Sequence, residues 1–376
     1  MDFNGDAFHG FGAPVLAVCG FSGSGKTTLL EAAIPRLIER GLAIAVVKHD
    51  AHGFEVDRPG KDSDRLFRAG ATVLLRGGEQ QFERRGSTTM LSLEAALARL
   101  GRDHDLLLVE GHKDTPLPKF WLASAEDSDV HGNFPENVTN IVGTLAWNGP
   151  RLAAFMEFFD RWLPSAWNAR PLLRGLLIGG TSSRMGSLKQ LLPFGQRTLG
   201  EIAAEALATR RIDSTDDPSV VALGRGVLPE ALKTLAQLPD SPGFSGPGAG
   251  LIAAHRWAPE ATWIVAACDH PWLRPAHIEW LAAQRQPGRW AIIPAQPDGH
   301  LSPTLAMYEP QALEFLERKA RAAREHDVRP LALLDSPHTL VLEPPPELAD
   351  GWKNVNTPEE LRAQELRIAS NRKREE

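Results

Sequence analysis

Two glycine-rich stretches hold the residues of this chain whose types and spacing suit phosphate chemistry. One reads Leu176-Leu177-Ile178-Gly179-Gly180-Thr181-Ser182-Ser183-Arg184-Met185-Gly186-Ser187-Leu188-Lys189. An apolar run ends in paired glycines, as a buried strand would on entering a loop whose backbone N–H groups converge on phosphate oxygens. Gly179 and Gly180 let the main chain come close to a triphosphate, and Ile178 and Gly186 belong to the same candidate nucleotide loop. Arg184 can take phosphate oxygens in a fork, and Lys189 acts on them as a point charge. Position 190 is Gln, so the loop lacks the magnesium-binding hydroxyl of a P-loop. On pattern alone, a strand-to-helix turn with two solvated basic residues fits equally well.

The other stretch is Gly20-Phe21-Ser22-Gly23-Ser24-Gly25-Lys26-Thr27-Thr28, a full P-loop pattern. It follows the apolar run Pro14–Cys19 and precedes Leu29, Leu30, Ala33, Ile34, Leu37 and Ile38, spaced for one helical face. Gly41 is a plausible stop and Pro35 a source of a kink. Strand, loop and helix in this order are the context the motif requires. Gly20, Gly23, Gly25 and Thr28 are candidate nucleotide contacts, Lys26 neutralises β/γ charge, and Thr27 can ligate Mg²⁺. The strand Leu106–Val109 ends in Glu110, which could hold Mg²⁺ or order a water, or could be a solvated strand-end carboxylate. His49 and His52 follow the strand Ala43–Val47 without the spacing of a zinc motif.

These loops need sheets to position them. The chain of 376 residues is long enough for two α/β domains, each with its own core. Ala153–Leu163 reads as a helix closing the first, and Pro164 to Pro171 as a short connector with prolines at both ends. The division expected is 1–165, a linker at 166–173, and 174–376. In the second half a helix is expected over Thr198–Thr209 and strands over Val220–Leu223 and Trp263–Cys268. The segment Pro239–Gly250 is too rich in proline and glycine for an element interior. Asp269 closes the strand at Cys268, where a carboxylate facing a phosphate loop suits Mg²⁺; the competing reading makes it the N-cap of a helix from Pro271. His270 reads as structural. Thr357 and Pro358 form an N-cap and first position for a last helix.

A net charge of −6 gives no broad electrostatic reason to expect nucleic acid or an anionic membrane as partner. Two cysteines, Cys19 and Cys268, cannot build a disulfide framework and read as small core residues. The first residues lack the pattern of a signal peptide and no apolar run reaches spanning length, so a cytoplasmic protein is expected.

The first half resembles the molybdopterin-guanine dinucleotide biosynthesis adapter family, the MobB type. The resemblance rests on G-x-x-x-x-G-K-T-T, K-H-x-x-H, D-x-P-G-K-D-S, A-G-A and L-V-E-G-x-K, and covers about residues 14–120. His112 departs from it, standing where an aromatic residue is common. It implies a P-loop NTPase-like domain that binds GTP, forms a homodimer in many members, and assists a partner transferase. From about 174 to 362 the chain resembles the MobA-type molybdenum cofactor guanylyltransferases, on G-G-x-x-x-R-M-G-x-x-K, Gly246-Pro247-Gly248-Ala249-Gly250, Asp269-His270-Pro271 and Asn354-Val355-Asn356-Thr357-Pro358-Glu359. That resemblance implies a Rossmann-like nucleotidyltransferase domain, with Gly246 beside the nucleotide and Asn354 and Asn356 near metal and nucleotide.

The two resemblances imply one pathway: GTP and the molybdopterin cofactor give molybdopterin guanine dinucleotide and pyrophosphate, with Arg184, Lys189 and Asp269 catalytic. Molybdoenzymes or their chaperones would receive the product. Three alternatives stay open: a cytidylyltransferase on the same acceptor, a sugar-phosphate nucleotidyltransferase, and a non-catalytic GTP-binding carrier of the cofactor. Gly179-Gly180 is guanylyl-like. The loop before Lys189 is one residue short and lacks an Asp there, and Leu191-Leu192-Pro193-Phe194 is cytidylyl-like. The fusion to an adapter of the guanine pathway and Asn354-Val355-Asn356 favour GTP.

Overall fold

The computed structural model describes residues 10–48, 58–86, 91–124, 134–135, 137–179, 185, 187–208 and 220–375, with side chains of the last helix described to 367. The first half is built on the parallel sheet β2-β5-β1-β6-β7, from β1 (Val15–Gly20), β2 (Ile44–Lys48), β5 (Leu106–Glu110), β6 (Lys119–Leu122) and β7 (Ile141–Leu145). β3 (Val73–Arg76) and β4 (Gln81–Arg84) form a separate antiparallel pair. Helices α1 (Lys26–Glu39), α2 (Asp62–Arg68), α3 (Leu93–Leu100) and α4 (Arg151–Asn168) complete it. β1 and β5 are apolar and buried along almost their whole length, as strands covered on both faces must be. One face of the sheet packs on Leu30, Leu37, Phe155 and Phe159 of α1 and α4, the other on Leu97 of α3.

The second half is organised on the sheet β12-β11-β8-β13-β15-β14-β16. β8 (Leu172–Leu177) lies between β11 (Val220–Leu223) and the central strand β13 (Thr262–Ala267), parallel to both. β12 (Ala236–Leu238) extends the parallel edge, and β15 (Leu305–Tyr308) runs antiparallel between β13 and β14 (Ala291–Pro294), with β16 (Thr339–Leu342) at the far edge. β9 (Pro193–Phe194) and β10 (Arg197–Thr198) make a small hairpin before α5 (Leu199–Leu207), which opens with a Thr198/Glu201 capping box. The remaining helices are α6 (Pro247–Trp257), α7 (Pro275–Ala283), α8 (Pro310–Ala323) and α9 (Pro358–Glu375).

The expected linker at 166–173 is shorter in the structure. α4 continues through Pro164 to Asn168, because Trp162, Leu163 and Trp167 are buried on its inner face, and β8 already begins at Leu172. The remaining residues are tied down by a buried ionic cluster. Glu309, fully buried, accepts from Arg285 Nε (2.8 Å) and Trp167 Nε1 (3.1 Å), and Arg170 Nη2 lies 2.9 Å from it. Burial opposes ionisation of Glu309, yet the two guanidiniums hold its pKa below the ordinary carboxylate range. Arg170 also donates to the Gly12 carbonyl at 2.7 Å, and Trp290 Nε1 donates to Asp105 Oδ1 at 2.7 Å. Gln311 Nε2 reaches the carbonyls of Gly12, Gly101 and His104. These bonds cross between the halves and fix one against the other.

Pro239–Gly250 is not wholly a loop, as its composition suggested. α6 starts at Pro247, with Gly246 as N-cap at φ 74. Gly248 is required there: a Cβ would stand 2.6 Å from the Val328 carbonyl oxygen. Close packing of the helix start, rather than flexibility, accounts for these glycines. α9 begins at Pro358 as expected, with Thr357 Oγ1 accepting from the Glu360 N–H at 3.2 Å. Among the described residues no helix is long and apolar enough to cross a membrane.

Candidate functional site

At the carboxyl end of the first sheet, β1 turns at Gly20, where a Cβ would lie 2.6 Å from the Leu122 carbonyl oxygen and 2.6 Å from Ser24 Oγ. The loop then passes Gly23 (φ 76) to Gly25, the left-handed N-cap of α1 (φ 78). Lys26 folds back over the loop, its Nζ donating to the carbonyls of Phe21 (2.8 Å) and Gly20 (3.1 Å). Burial lowers its pKa, and the neighbouring Glu110 opposes that shift. Sheet register places Glu110 beside Val18 and Lys48. Thr27 Oγ1 donates to Glu110 Oε1 at 2.8 Å, and Lys48 Nζ lies 3.3 Å from the same oxygen. Thr27 and Thr28 are exposed in the first turn of α1. Glu110 is thus paired with the loop's hydroxyl rather than simply solvated.

The second site is a cavity of about 630 Å³ at the carboxyl ends of β8 and β13. Ile178, Gly179, Lys189, Gly246, Asp269 and Asn356 all line it. Lys189 Nζ donates to Asp269 Oδ2 and to Asn356 Oδ1, both at 2.9 Å. Asp269 Oδ1 is buried without a hydrogen-bond partner. The Asp269 carbonyl accepts from Val355 N at 2.8 Å, which carries the Asn356 segment up to the strand end. Asp269 caps no helix, since α7 starts only at Pro275. Asn354 is half-buried and does not line the cavity. Gly180, Arg184 and Gly186 lie outside the described residues, as do His49 and His52. His270 is buried beside Asp269, its Nε2 3.4 Å from Oδ1.

The two sets of site residues sit on different sheets, and no hydrogen bond links them among the described residues. Asp240, Gln190 and Thr304 also line the second cavity. The segment Asp298–Ala306 shares the transferase resemblance and Gln190 stands where a P-loop has a hydroxyl, but the sequence singles out none of the three as a site residue. Asp240 follows β12, a strand too short and polar to stand out; burial raises the pKa of its carboxyl, against the pull of Arg225. Sequence reasoning also missed Gly224, whose Cβ would stand 2.0 Å from the Ile178 carbonyl oxygen. A glycine just past the strand Val220–Leu223 was the available signal. Cys19 and Cys268 are both buried and free; burial pushes the Cys19 thiol up to about 11 and that of Cys268 higher still.

Fold and sites define an α/β protein in which a P-loop NTPase-like half is joined to a Rossmann-like nucleotidyltransferase half. Residues 15–144 match the family described as molybdopterin guanine dinucleotide synthesis protein B, and residues 175–335 the MobA-like NTP transferase domain. The chain is 35% identical over 170 residues to the molybdopterin-guanine dinucleotide biosynthesis adapter protein of Haemophilus influenzae, covering 42% of this chain and 93% of that protein. It is 30% identical over 193 residues to a probable molybdenum cofactor guanylyltransferase of Geobacillus sp., covering 50% of this chain and 94% of that one. A crystal structure of molybdopterin-guanine dinucleotide biosynthesis protein A from Archaeoglobus fulgidus is 23% identical, with a TM-score of 0.41, over 52% of this chain and 98% of that chain. This chain belongs to the MobB adapter family through its first half and to the MobA-like transferase family through its second.

Proposed function

We propose that the second half transfers GMP from GTP to the molybdopterin cofactor, releasing pyrophosphate, while the first half binds GTP and assists. The observation that supports this most is Lys189, held by Asp269 and Asn356 from two other elements inside a cavity large enough for a nucleotide. The acceptor phosphate oxygen attacks the α-phosphorus of GTP; that P–O bond forms as the bond to the bridging oxygen breaks, and pyrophosphate departs. An anionic attacker needs little acid–base help, so the barrier lies in bringing anions together in line. Lys189 neutralises charge on the departing phosphates. Asp269 and Asn356 fix its direction, and Gly179 lets the backbone approach. Arg184 adds a second cation by family resemblance.

The residues present fit magnesium. Asp269 Oδ1 is a buried oxygen that accepts no hydrogen bond, with His270 Nε2 3.4 Å away, and Mg²⁺ is commonly held by one or two carboxylates together with substrate phosphates. Among the described residues there is no cluster of three or more acidic, histidine or cysteine ligands, so phosphate oxygens would complete the shell. Asp269 in the second half, and Thr27 with Glu110 in the first, would hold it; when bound it supplies charge neutralisation on phosphate oxygens. In the first half Lys26 would exchange the carbonyls of Gly20 and Phe21 for phosphate oxygens.

Pyrophosphate release from GTP, and separately from CTP, in the presence of molybdopterin tests the reading. Release with GTP is expected. Release with neither nucleotide leaves a GTP-binding carrier; a CTP preference makes the enzyme a cytidylyltransferase, the reading that Leu191-Leu192-Pro193-Phe194 favours. Cytoplasmic location and a homodimer through the first half belong to the same proposal, the latter testable by light scattering.

A further inference from the structure

We infer that Trp147 and Arg151 complete the nucleotide site of the first half, Arg151 as a second cation on the phosphates and Trp147 as a stacking face for the base. The inference rests on the reading of the Gly20–Thr27 loop as a nucleotide site. β7 runs parallel to β6, so its carboxyl end opens on the same edge of the sheet as that loop. Trp147 follows it two residues later and is 38% exposed, in a chain whose large aromatic residues mostly lie in the core. Gly149 (φ 113) and Pro150 then turn the chain into α4, with Arg151 N donating to the Gly149 carbonyl at 2.9 Å.

Arg151 is thereby brought against the loop. Its Nη1 lies 3.2 Å from where a Cβ on Gly25 would stand, so a side chain at Gly25 would disturb it. Its Nε and Nη2 are buried without hydrogen-bond partners, and no described acidic side chain pairs with it. Its guanidinium carbon is 5.3 Å from the centroid of the Trp147 ring. Gly25 caps the N-terminus of the 14-residue α1, the positive end of that helix, and Lys26 adds a further cation. Two cations crowded on a helix N-terminus are mutually repulsive, and burying unpaired guanidinium N–H groups is costly. A polyanion at the loop removes both penalties, and a fork of N–H donors fits phosphate oxygens. A nucleoside triphosphate with its phosphates on α1 would bring its base toward the exposed indole. Aromatic stacking of this kind tolerates any base, so the pair provides affinity and the site's extent rather than base selection.

The test uses the full chain with Lys189→Ala and Asp269→Ala silencing the second cavity, titrated calorimetrically with GTP and with inorganic tripolyphosphate. Thermal melting checks that each variant is folded. Arg151→Ala is expected to weaken both ligands at least about tenfold, and Arg151→Lys to recover part of that loss. Trp147→Ala is expected to weaken GTP several-fold and leave tripolyphosphate unchanged, which a general loosening of the loop would not do. If Lys26→Ala still binds GTP like its parent, the loop is not the nucleotide site and the extension falls with it. If Lys26→Ala abolishes binding while both Arg151→Ala and Trp147→Ala bind like their parent, the loop reading stands and the extension alone is overturned.

Discussion

Each half of the molecule answers a glycine loop with a lysine, but the two lysines are held differently. Lys26 begins the helix that its own loop starts, and its two hydrogen bonds reach back only five and six residues. Lys189 is held by Asp269, 80 residues away, and by Asn356, 167 residues away. The first arrangement is local: one strand, one turn and one helix create it, and Glu110 is its long-range member. The second exists only when β8, β13 and the segment before α9 are assembled. A local loop suits binding and release of a nucleotide. A lysine oriented by distant partners suits a step whose rate depends on fixed charge placement.

Removing either member of the long-range pair should have the largest effect. Lys189→Ala and Asp269→Ala are each expected to lower nucleotidyl transfer roughly 10²–10³-fold, comparable to deleting one preorganised electrostatic group elsewhere. Near-normal turnover in either folded variant would move catalysis out of this cavity. Glu309→Gln removes the charge that pairs with Arg170 and Arg285 in the buried join. Breaking such a pair leaves uncompensated buried charge, so chemical denaturation should report a loss of about 3 kcal/mol. An unchanged midpoint would mean that the join contributes nothing to holding the second sheet.

A smaller effect concerns the base. GTP is expected to exceed CTP in specificity constant by at least roughly tenfold, or about 1.4 kcal/mol, because a pocket that bonds the guanine edge leaves groups unpaired around cytosine. Competition between the nucleotides in one assay decides this. Lys26→Ala should abolish GTP binding in the first half while transfer persists within roughly tenfold; complete loss of transfer would make the local site part of the chemistry.

The smallest effect is a contrast in pH dependence. His277, in the second half, has a pKa lowered from 6.5 chiefly by burial. Its unfolded form therefore takes up a proton first, and the stability of that half should fall as pH drops through 6.5. His104, in the first half, has a pKa raised from 6.5, chiefly by its hydrogen bond to Asp103. Its contribution is present below 6.5 and is lost as pH rises through the raised value. Melting curves from pH 5.5 to 8 should flatten on the acid side in His277→Gln and on the alkaline side in His104→Gln. Parallel curves for parent and variants would remove these groups from the balance.

The local machinery and the order of the two halves are legible in the amino-acid sequence. Gly20, Gly25, Lys26 and Thr27 lie within eight consecutive residues, and the apolar runs of β1, β5 and β13 announce strands buried on both faces. Thr357 and Pro358 marked the start of α9 for the same local reason. Which distant groups share a cavity follows only from the assembled fold. Nothing in the periodicity of residues 353–356 requires Asn356, rather than Asn354, to face Lys189; that pairing is seen only in the assembled cavity, where Val355 N also ties the segment to the Asp269 carbonyl. Nor could composition reveal that Gly248 serves close packing on Val328 within a helix, or that Pro164 is carried inside α4. In both, burial against another element outweighs local propensity, and propensity is all that a single sequence displays.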